Sequence, residues 1–260
     1  MRKSTHSEDP VTWWNGNCYS NLLNCGKQLR TAFNGKALIL NKNTAELMVL
    51  EILPNGGKGK EITVINSSTS RIFSHEIFSK EQDKVACITS QGSIYVYKIF
   101  LDEGTYQKIC QFQLDLISSR SEVGYKISIC PESRHIAVIL STGSKGSRIM
   151  VLKFVEESLV LKHQLDLLNR KLSNLYFGEF LGYRMDNLIY CALVTNTSKT
   201  GCSKVLTFVY NETDNEMKEI SSLRRSVDMV FLYKLVKLGE CFYCIGDKNH
   251  QGNLLKINYA

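Results

Sequence analysis

The sequence predicts an all-β protein, a β-propeller of about five four-stranded blades that is either open or completed by a partner. Three observations predict this fold: a hairpin pattern that recurs five times, a nearly constant spacing between its recurrences, and flanking strands around most hairpins. A parallel α/β fold needs helices between its strands, and only residues 165–175 could supply one. A β-sandwich would leave the constant spacing unexplained.

The clearest hairpin covers residues 84–98, where a Ser-Gln-Gly-Ser turn joins two short strands rich in β-branched and aromatic residues. Side chains alternate along a strand, so Ile94 and Val96 point one way while Tyr95, Tyr97 and Ile99 point the other. A strand that is apolar on both faces belongs to a sheet packed between two other layers.

The same hairpin recurs along the chain. Its first strands start at residues 37, 85, 136, 188 and 242, in steps of 48, 51, 52 and 54. A period near 50 is typical of propeller blades. The predicted strand pairs are 37–40 with 46–52, 85–88 with 93–97, 136–140 with 148–152, 188–193 with 204–210, and 242–245 with 253–257.

Each hairpin also needs an inner and an outer strand to make a four-stranded blade. The predicted inner strands are 72–73, 125–129, 175–177 and 229–233. The predicted outer strands are 61–65, 107–114, 159–165 and 216–220.

Residues 125–140 read Tyr-Lys-Ile-Ser-Ile-Cys-Pro-Glu-Ser-Arg-His-Ile-Ala-Val-Ile-Leu. This segment resembles the first-strand, turn and second-strand signature of WD40 repeats, with residues 131–134 where that family keeps a Ser-Pro-Asp-Gly-type turn. Residues 90–98 are similar to the family's turn before its third strand, with Tyr97 and Lys98 in place of Trp-Asp. The chain contains no Trp-Asp or Gly-His pair, so the family's hydrogen-bond network is carried over to no residue. The resemblance implies a divergent WD40-like propeller.

We predict a polar N-terminal tail over residues 1–34 and the propeller over 35–260. The fifth repeat ends after its third strand, and nothing before Gly35 reads clearly as an inner strand of the first repeat. Residues 11–14, Val-Thr-Trp-Trp, would close a five-bladed ring if they supplied the missing strand. The alternative, which we favour, is that a partner's strand or blade completes the ring by edge-strand addition, because an unpaired apolar edge invites aggregation.

Composition narrows the function classes. The net charge of +7 is spread along the chain, which makes it weak support for nucleic-acid binding. No apolar run approaches the length of a membrane span, and no signal-peptide pattern occurs. Nine cysteines without a signal sequence favour a reducing compartment, so we expect an intracellular protein, cytoplasmic or nuclear.

The sequence contains no recognisable catalytic, cofactor-binding or metal-binding motif. The lone CxxC pair, Cys241 and Cys244, falls in a predicted strand, where residues three apart face opposite sides. His6, His75, His135, His163 and His250 form no metal-binding or acid–base pattern. No nucleophile or dinucleotide motif occurs either. We therefore predict no enzyme activity, no cofactor and no metal.

The expected function is a non-enzymatic protein-interaction scaffold, a propeller subunit of a multiprotein complex, by analogy with its fold. The alternative is a nucleic-acid-associated propeller that uses dispersed basic loops, including the pairs Arg170-Lys171 and Arg224-Arg225. The candidate partner-binding residues are Trp13, Trp14, Arg224, Arg225, Leu254, Ile257 and Tyr259.

Overall fold

The structure is a computed structural model of the chain. It describes residues 29–41, 45–53, 59–66, 70–78, 80–115, 124–130, 133–141, 147–167, 175–184, 187–194, 203–220, 225–227, 231–238, 241–248 and 251–257.

The described residues form five antiparallel sheets that follow one another along the chain. Sheet 1 consists of β1 (Leu29–Ala32), β2 (Ala37–Asn41), β3 (Glu46–Glu51) and β4 (Glu61–Asn66). Sheet 2 consists of β5 (Ile72–Ile77), β6 (Lys84–Thr89), β7 (Ser93–Phe100) and β8 (Thr105–Gln113). Sheet 3 consists of β9 (Gly124–Ile129), β10 (His135–Ser141), β11 (Ser147–Val155) and β12 (Ser158–Asp166).

The last two sheets depart from four strands. Sheet 4 consists of β13 (Leu175–Arg184), β14 (Asn187–Val194), β15 (Ser203–Asn211) and β16 (Glu216–Glu219), with β17 (Arg225–Val227) paired to the far end of β15. Sheet 5 consists, within the described residues, of β18 (Phe231–Leu238), β19 (Cys241–Lys248) and β20 (Gln251–Ile257).

All five predicted hairpins are confirmed, as are the eight flanking strands, and their ends differ from the prediction by at most seven residues, at the end of β13. Two strands were not predicted, β1 of sheet 1 and the short β17 of sheet 4. β1 lies before the expected propeller boundary at residue 35 and pairs with β2, as the inner strand of sheet 1. A 3₁₀ turn over Phe33–Gly35 joins the two strands, and Gly35 has the positive φ of 85° that favours glycine. The predicted closing strand at 11–14 lies outside the described residues.

Each sheet packs against the next one along the chain. Inner strands contact inner strands, so β5 lies against β1 and β9, and β13 lies against β9 and β18. Outer strands do the same through the pairs β4–β8, β8–β12 and β12–β16. This is the blade arrangement of a β-propeller, and it confirms the predicted fold class.

Among the side chains that the structure describes, three apolar cores lie between neighbouring sheets. Between sheets 1 and 2 the buried residues include Ile39 and Tyr97, and between sheets 2 and 3 they include Val96. Between sheets 3 and 4 they include Ile139 and Phe208. β7 therefore buries its two faces in two different cores, as the sequence predicts. Among the described residues, no helix is long and apolar enough to cross a membrane.

Candidate functional site

Antiparallel order places two connections of each blade at one common end. The loop between the first and second strands lies at the same end as the turn between the third and fourth strands. We call this the paired-turn end. Within the described residues, the ion pairs Glu81–Arg134 and Glu212–Lys153 join one sheet to the next at this end.

Sheets 2 and 3 are bridged at the paired-turn end by a chain of ion pairs. Glu81, in the loop before β6, pairs with Arg134 in the loop before β10 and with Lys84 at 2.7 Å. Lys84 Nζ also lies 3.5 Å from Asp83, which in turn lies 3.7 Å from Lys98 Nζ. Glu81 is largely buried, with its side chain 17% exposed. Its carboxylate therefore has two cationic partners from two sheets.

Sheets 3 and 4 meet around His135, the first residue of β10. His135 is 1% exposed, and its Nδ1 lies 2.9 Å from Ser133 Oγ. Its Nε2 lies 3.6 Å from Glu212 Oε2, in the turn that follows β15. The other carboxylate oxygen of Glu212 accepts a hydrogen bond from Lys153 Nζ of β11. The ring of Tyr210 lies 6.1 Å from the imidazole, centroid to centroid.

The protonation states at this contact follow from burial and neighbouring charges. Burial, reinforced by Lys153 and Lys162 and opposed by Glu212, lowers the pKa of His135 to about 4. Although burial raises the pKa of the Glu212 carboxyl, the hydrogen bond from Lys153 and the nearby positive charges lower it overall. At neutral pH, His135 is therefore a neutral imidazole beside an ionised Glu212–Lys153 pair.

Ser133, His135 and Glu212 lie in the order of a nucleophile, a base and a carboxylate. Two features make them a poor proton-transfer site. The imidazole is almost wholly buried, so a substrate has little access to it. Its lowered pKa also disfavours the imidazolium that a general base must become. The geometry fits a polar contact between sheets better than a catalytic relay.

Two cysteines of the described sheets, Cys87 and Cys110, are shifted away from the reactive thiolate form. Burial raises the pKa of the Cys87 thiol to about 12, and burial together with Glu157 raises that of Cys110 to about 11. Cys241 and Cys244 both lie in β19, whose pairing with β20 is regular from Phe242 onward. Within the described ranges, no group of three or more His, Cys, Asp or Glu side chains is arranged to hold a metal ion.

The predicted partner-binding residues are not brought together into one described site. Trp13, Trp14, Arg224 and Tyr259 lie outside the described residues. Arg225 begins β17 in sheet 4, opposite Val205. Leu254 and Ile257 both lie in β20 of sheet 5, opposite Ile245 and Phe242.

The contacts among Glu81, Arg134, His135 and Glu212 were not predicted. Their residues come from different blades, and nothing in their spacing marks them. One signal was available: Arg134 ends the predicted turn of the 125–140 segment and His135 follows it directly, which places both residues at a blade end. His75 is likewise buried between sheets, and its Nε2 donates to the carbonyl oxygen of Ile39 at 3.3 Å.

The fold is similar to that of a protein from Lactobacillus plantarum whose crystal structure is a seven-bladed β-propeller. The two chains share 10% sequence identity and superpose with a TM-score of 0.57, over 75% of this chain and 53% of that one. The chain thus spans about half the length of that protein. Similarity at this level of identity shows the propeller fold alone. No family model matches the chain, and no curated protein matches it significantly.

Proposed function

We propose that the chain is a non-enzymatic protein-interaction scaffold, a divergent WD40-like propeller subunit that binds other proteins within an intracellular complex. The proposal rests on the contacts that the ionisable side chains make at the paired-turn end. Glu81 and Glu212 each join cations or a histidine from neighbouring sheets, so these side chains hold blades together.

The protonation states support the same reading. A His135 with its pKa lowered to about 4, and thiols with their pKa raised to about 11 or above, are shifted away from the range useful for acid–base or nucleophilic chemistry at neutral pH. A rigid set of blades whose polar side chains stabilise the fold is suited to presenting its loops and outer strands to other proteins.

The test is affinity capture from native extract with the whole 260-residue chain as bait, after nuclease treatment. A matched control is the Val96→Asp variant, which carries a charge in the core between sheets 2 and 3 and should not fold. We expect a defined set of proteins in stoichiometric amounts on the folded bait and none of them on the control.

The competing function is nucleic-acid binding through basic loops. It would appear as direct binding of the purified chain to RNA or DNA, with the logarithm of the binding constant falling steeply and linearly with the logarithm of the salt concentration. That result, together with no folded-state-specific protein partner, would overturn the scaffold proposal.

A further inference from the structure

Strand β12 is the outer strand of sheet 3, and one of its two edges lies at the end of the sheet. The strand order is β12-β11-β10-β9, so β12 pairs with β11 alone among the described strands. The outer strands of the neighbouring sheets, β8 and β16, contact β12 without joining its sheet. Every second residue of β12 therefore directs its backbone N–H and C=O groups away from β11, at an edge that another strand can extend.

This edge carries exposed apolar side chains. Val160 and Leu161, adjacent residues of β12, are each 41% exposed, and they are the exposed large apolar side chains among the described residues. Single apolar residues on a protein surface are normal. Two in sequence on the outer strand of a sheet form the kind of segment that pairs with another chain.

The equivalent positions in sheets 1 and 2 are polar. In each of the first three sheets the outer strand contains a bulge where it pairs with the third strand, and the residues directly before the bulge are Glu61, Lys108 and Leu161. Glu61 and Lys108 are exposed charges, and charged side chains discourage pairing at a sheet edge. One residue earlier, β8 has the exposed Gln107 where β12 has Val160. Sheet 3 therefore lacks the protection that its two predecessors have.

The same edge carries a positive charge. Lys162, the extra residue of the bulge in β12, has no ion-pair partner in the part of the chain that the structure describes. The carboxylates of Glu212 and Asp166 already have cationic partners, Lys153 and Arg148 respectively. An acidic group from another molecule would therefore complement Lys162 without displacing an existing pair.

We propose that the outer edge of β12 binds an extended segment of a partner protein by strand addition. The segment presents apolar side chains to Val160 and Leu161 and a carboxylate to Lys162. Main-chain hydrogen bonds supply affinity in such complexes, and the alternating side chains supply specificity. The carboxylate faces the C-terminal half of the strand, because Glu156 and Glu157 stand in the turn before its start. The inference rests on the proposed scaffold function and names one surface and one kind of partner for it.

A second copy of this chain is a poorer occupant of the edge. β12 has no carboxylate between Ser158 and Leu165, and Asp166 at its end is paired with Arg148. Two β12 strands side by side would bring two Lys162 side chains to one contact without an acidic partner, and like charges across a strand pair are destabilising. Charge complementarity therefore favours a different protein as the partner.

The probe is a displayed library of short random peptides, selected on the purified 260-residue chain. We expect the selected peptides to combine alternate β-branched or aromatic residues with one acidic residue, and to lack proline, which cannot donate to the ladder. Val160→Gln combined with Leu161→Lys gives β12 the residues that β8 has, and should weaken binding of a selected peptide by at least about ten-fold. Lys162→Glu should make the chain prefer the same peptide with lysine in place of its acidic residue.

The matched control is Gln107→Lys, which adds one positive charge at the equivalent position of β8 and should leave peptide binding near the wild-type value. All these variants replace side chains at the outer edge of a sheet, so urea midpoints should stay near that of the wild type. Methylation of alternate backbone amides of the selected peptide should abolish binding, because strand addition needs those donors.

The proposal would be overturned if no peptide is selected, or if the selected peptides bind V160Q/L161K as tightly as the wild type. A dimer of the chain that V160Q/L161K dissociates in light scattering would overturn it too, because the occupant would then be a second copy. Affinity capture separates this result from the scaffold function. Proteins held equally by the wild-type and V160Q/L161K baits would overturn only the assignment to β12, and no protein held by either bait would overturn the scaffold function itself.

Discussion

The turn between β11 and β12 is built from residues that its backbone does not favour. Glu156 and Glu157 are its two central residues, because Val155 pairs with Ser158 on either side. Their φ angles are 47° and 61°. Positive φ at both central residues is the signature of a type I′ turn, for which Asn-Gly is strongly preferred. A non-glycine residue in this region costs roughly 1–2 kcal/mol.

The double substitution Glu156→Asn and Glu157→Gly should therefore stabilise the protein. Relief at the two positions is worth about 2–3 kcal/mol, and the greater freedom of glycine in the unfolded chain offsets about 0.5–1 kcal/mol of it. We expect a net gain of about 1–2 kcal/mol in the free energy of unfolding. At about 2–4 °C per kcal/mol for a chain of this size, Tm should rise by about 2–8 °C.

The assay is urea denaturation followed by circular dichroism, with thermal melts as a second readout. The matched control is E156Q/E157Q, which removes the same two charges and keeps both side chains in the left-handed region. It should change stability by less than about 0.5 kcal/mol, since both side chains are exposed. Equal stabilisation by both variants would show that charge repulsion is the cause, and no gain from Asn-Gly would refute the strain argument.

Three further outcomes follow from the cores and the ion pairs. Val96→Asp should unfold the domain, since a buried unpaired carboxylate costs several kcal/mol, while Gln107→Asp on the exposed side of β8 should be nearly neutral in urea melts. The unfolding free energy should fall as pH drops from about 6.5 to 4, because the pKa of His135 is lowered to about 4 and the unfolded state binds that proton first. His135→Gln should flatten the pH profile in that window, and an unchanged slope would assign the acid sensitivity to other groups. A double-mutant cycle on Glu81→Gln and Arg134→Met should give a coupling of about 1 kcal/mol or less, because Arg134 is 54% exposed.

The central strands of the blades could be predicted from the sequence because a strand buried on both faces is a continuous run of apolar residues. Strand β7 packs on both faces, and its buried residues are therefore apolar on both: Ile94, Val96, Tyr97 and Ile99. This apolar run can be recognised in the sequence alone. β1 escaped prediction because Leu-Arg-Thr-Ala is short and mixed in character. Its assignment depends on pairing with β2, which is a property of the sheet and not of the four residues.

The polar contacts between blades could not be predicted for a related reason. Glu81 meets Arg134, and His135 meets Glu212, only because successive blades bring equivalent turns to one end. A propeller prediction gives the end at which a turn lies. It does not give the rotation of one blade against the next, which decides whether two turns come within 4 Å of each other.

The two ends of the sheets are held in different ways, and this bears on how a partner can bind. At the opposite end, the described side-chain contacts join strands of one blade. In sheet 2, Ser93 Oγ lies 2.6 Å from Gln113 Oε1, and the Leu114 amide donates to the Gly92 carbonyl oxygen at 3.0 Å. In sheet 3, Arg148 of β11 pairs with Asp166 of β12. At the paired-turn end, charges join one blade to the next. A partner that binds Arg134 would break its ion pair with Glu81 and leave this largely buried carboxylate with fewer cationic partners. Binding at the paired-turn end is therefore weakened by the free energy needed to break that ion pair. A partner that binds exposed turn tips and outer strands breaks no ion pair between blades. We therefore expect partners to bind those surfaces more tightly for the same contact area.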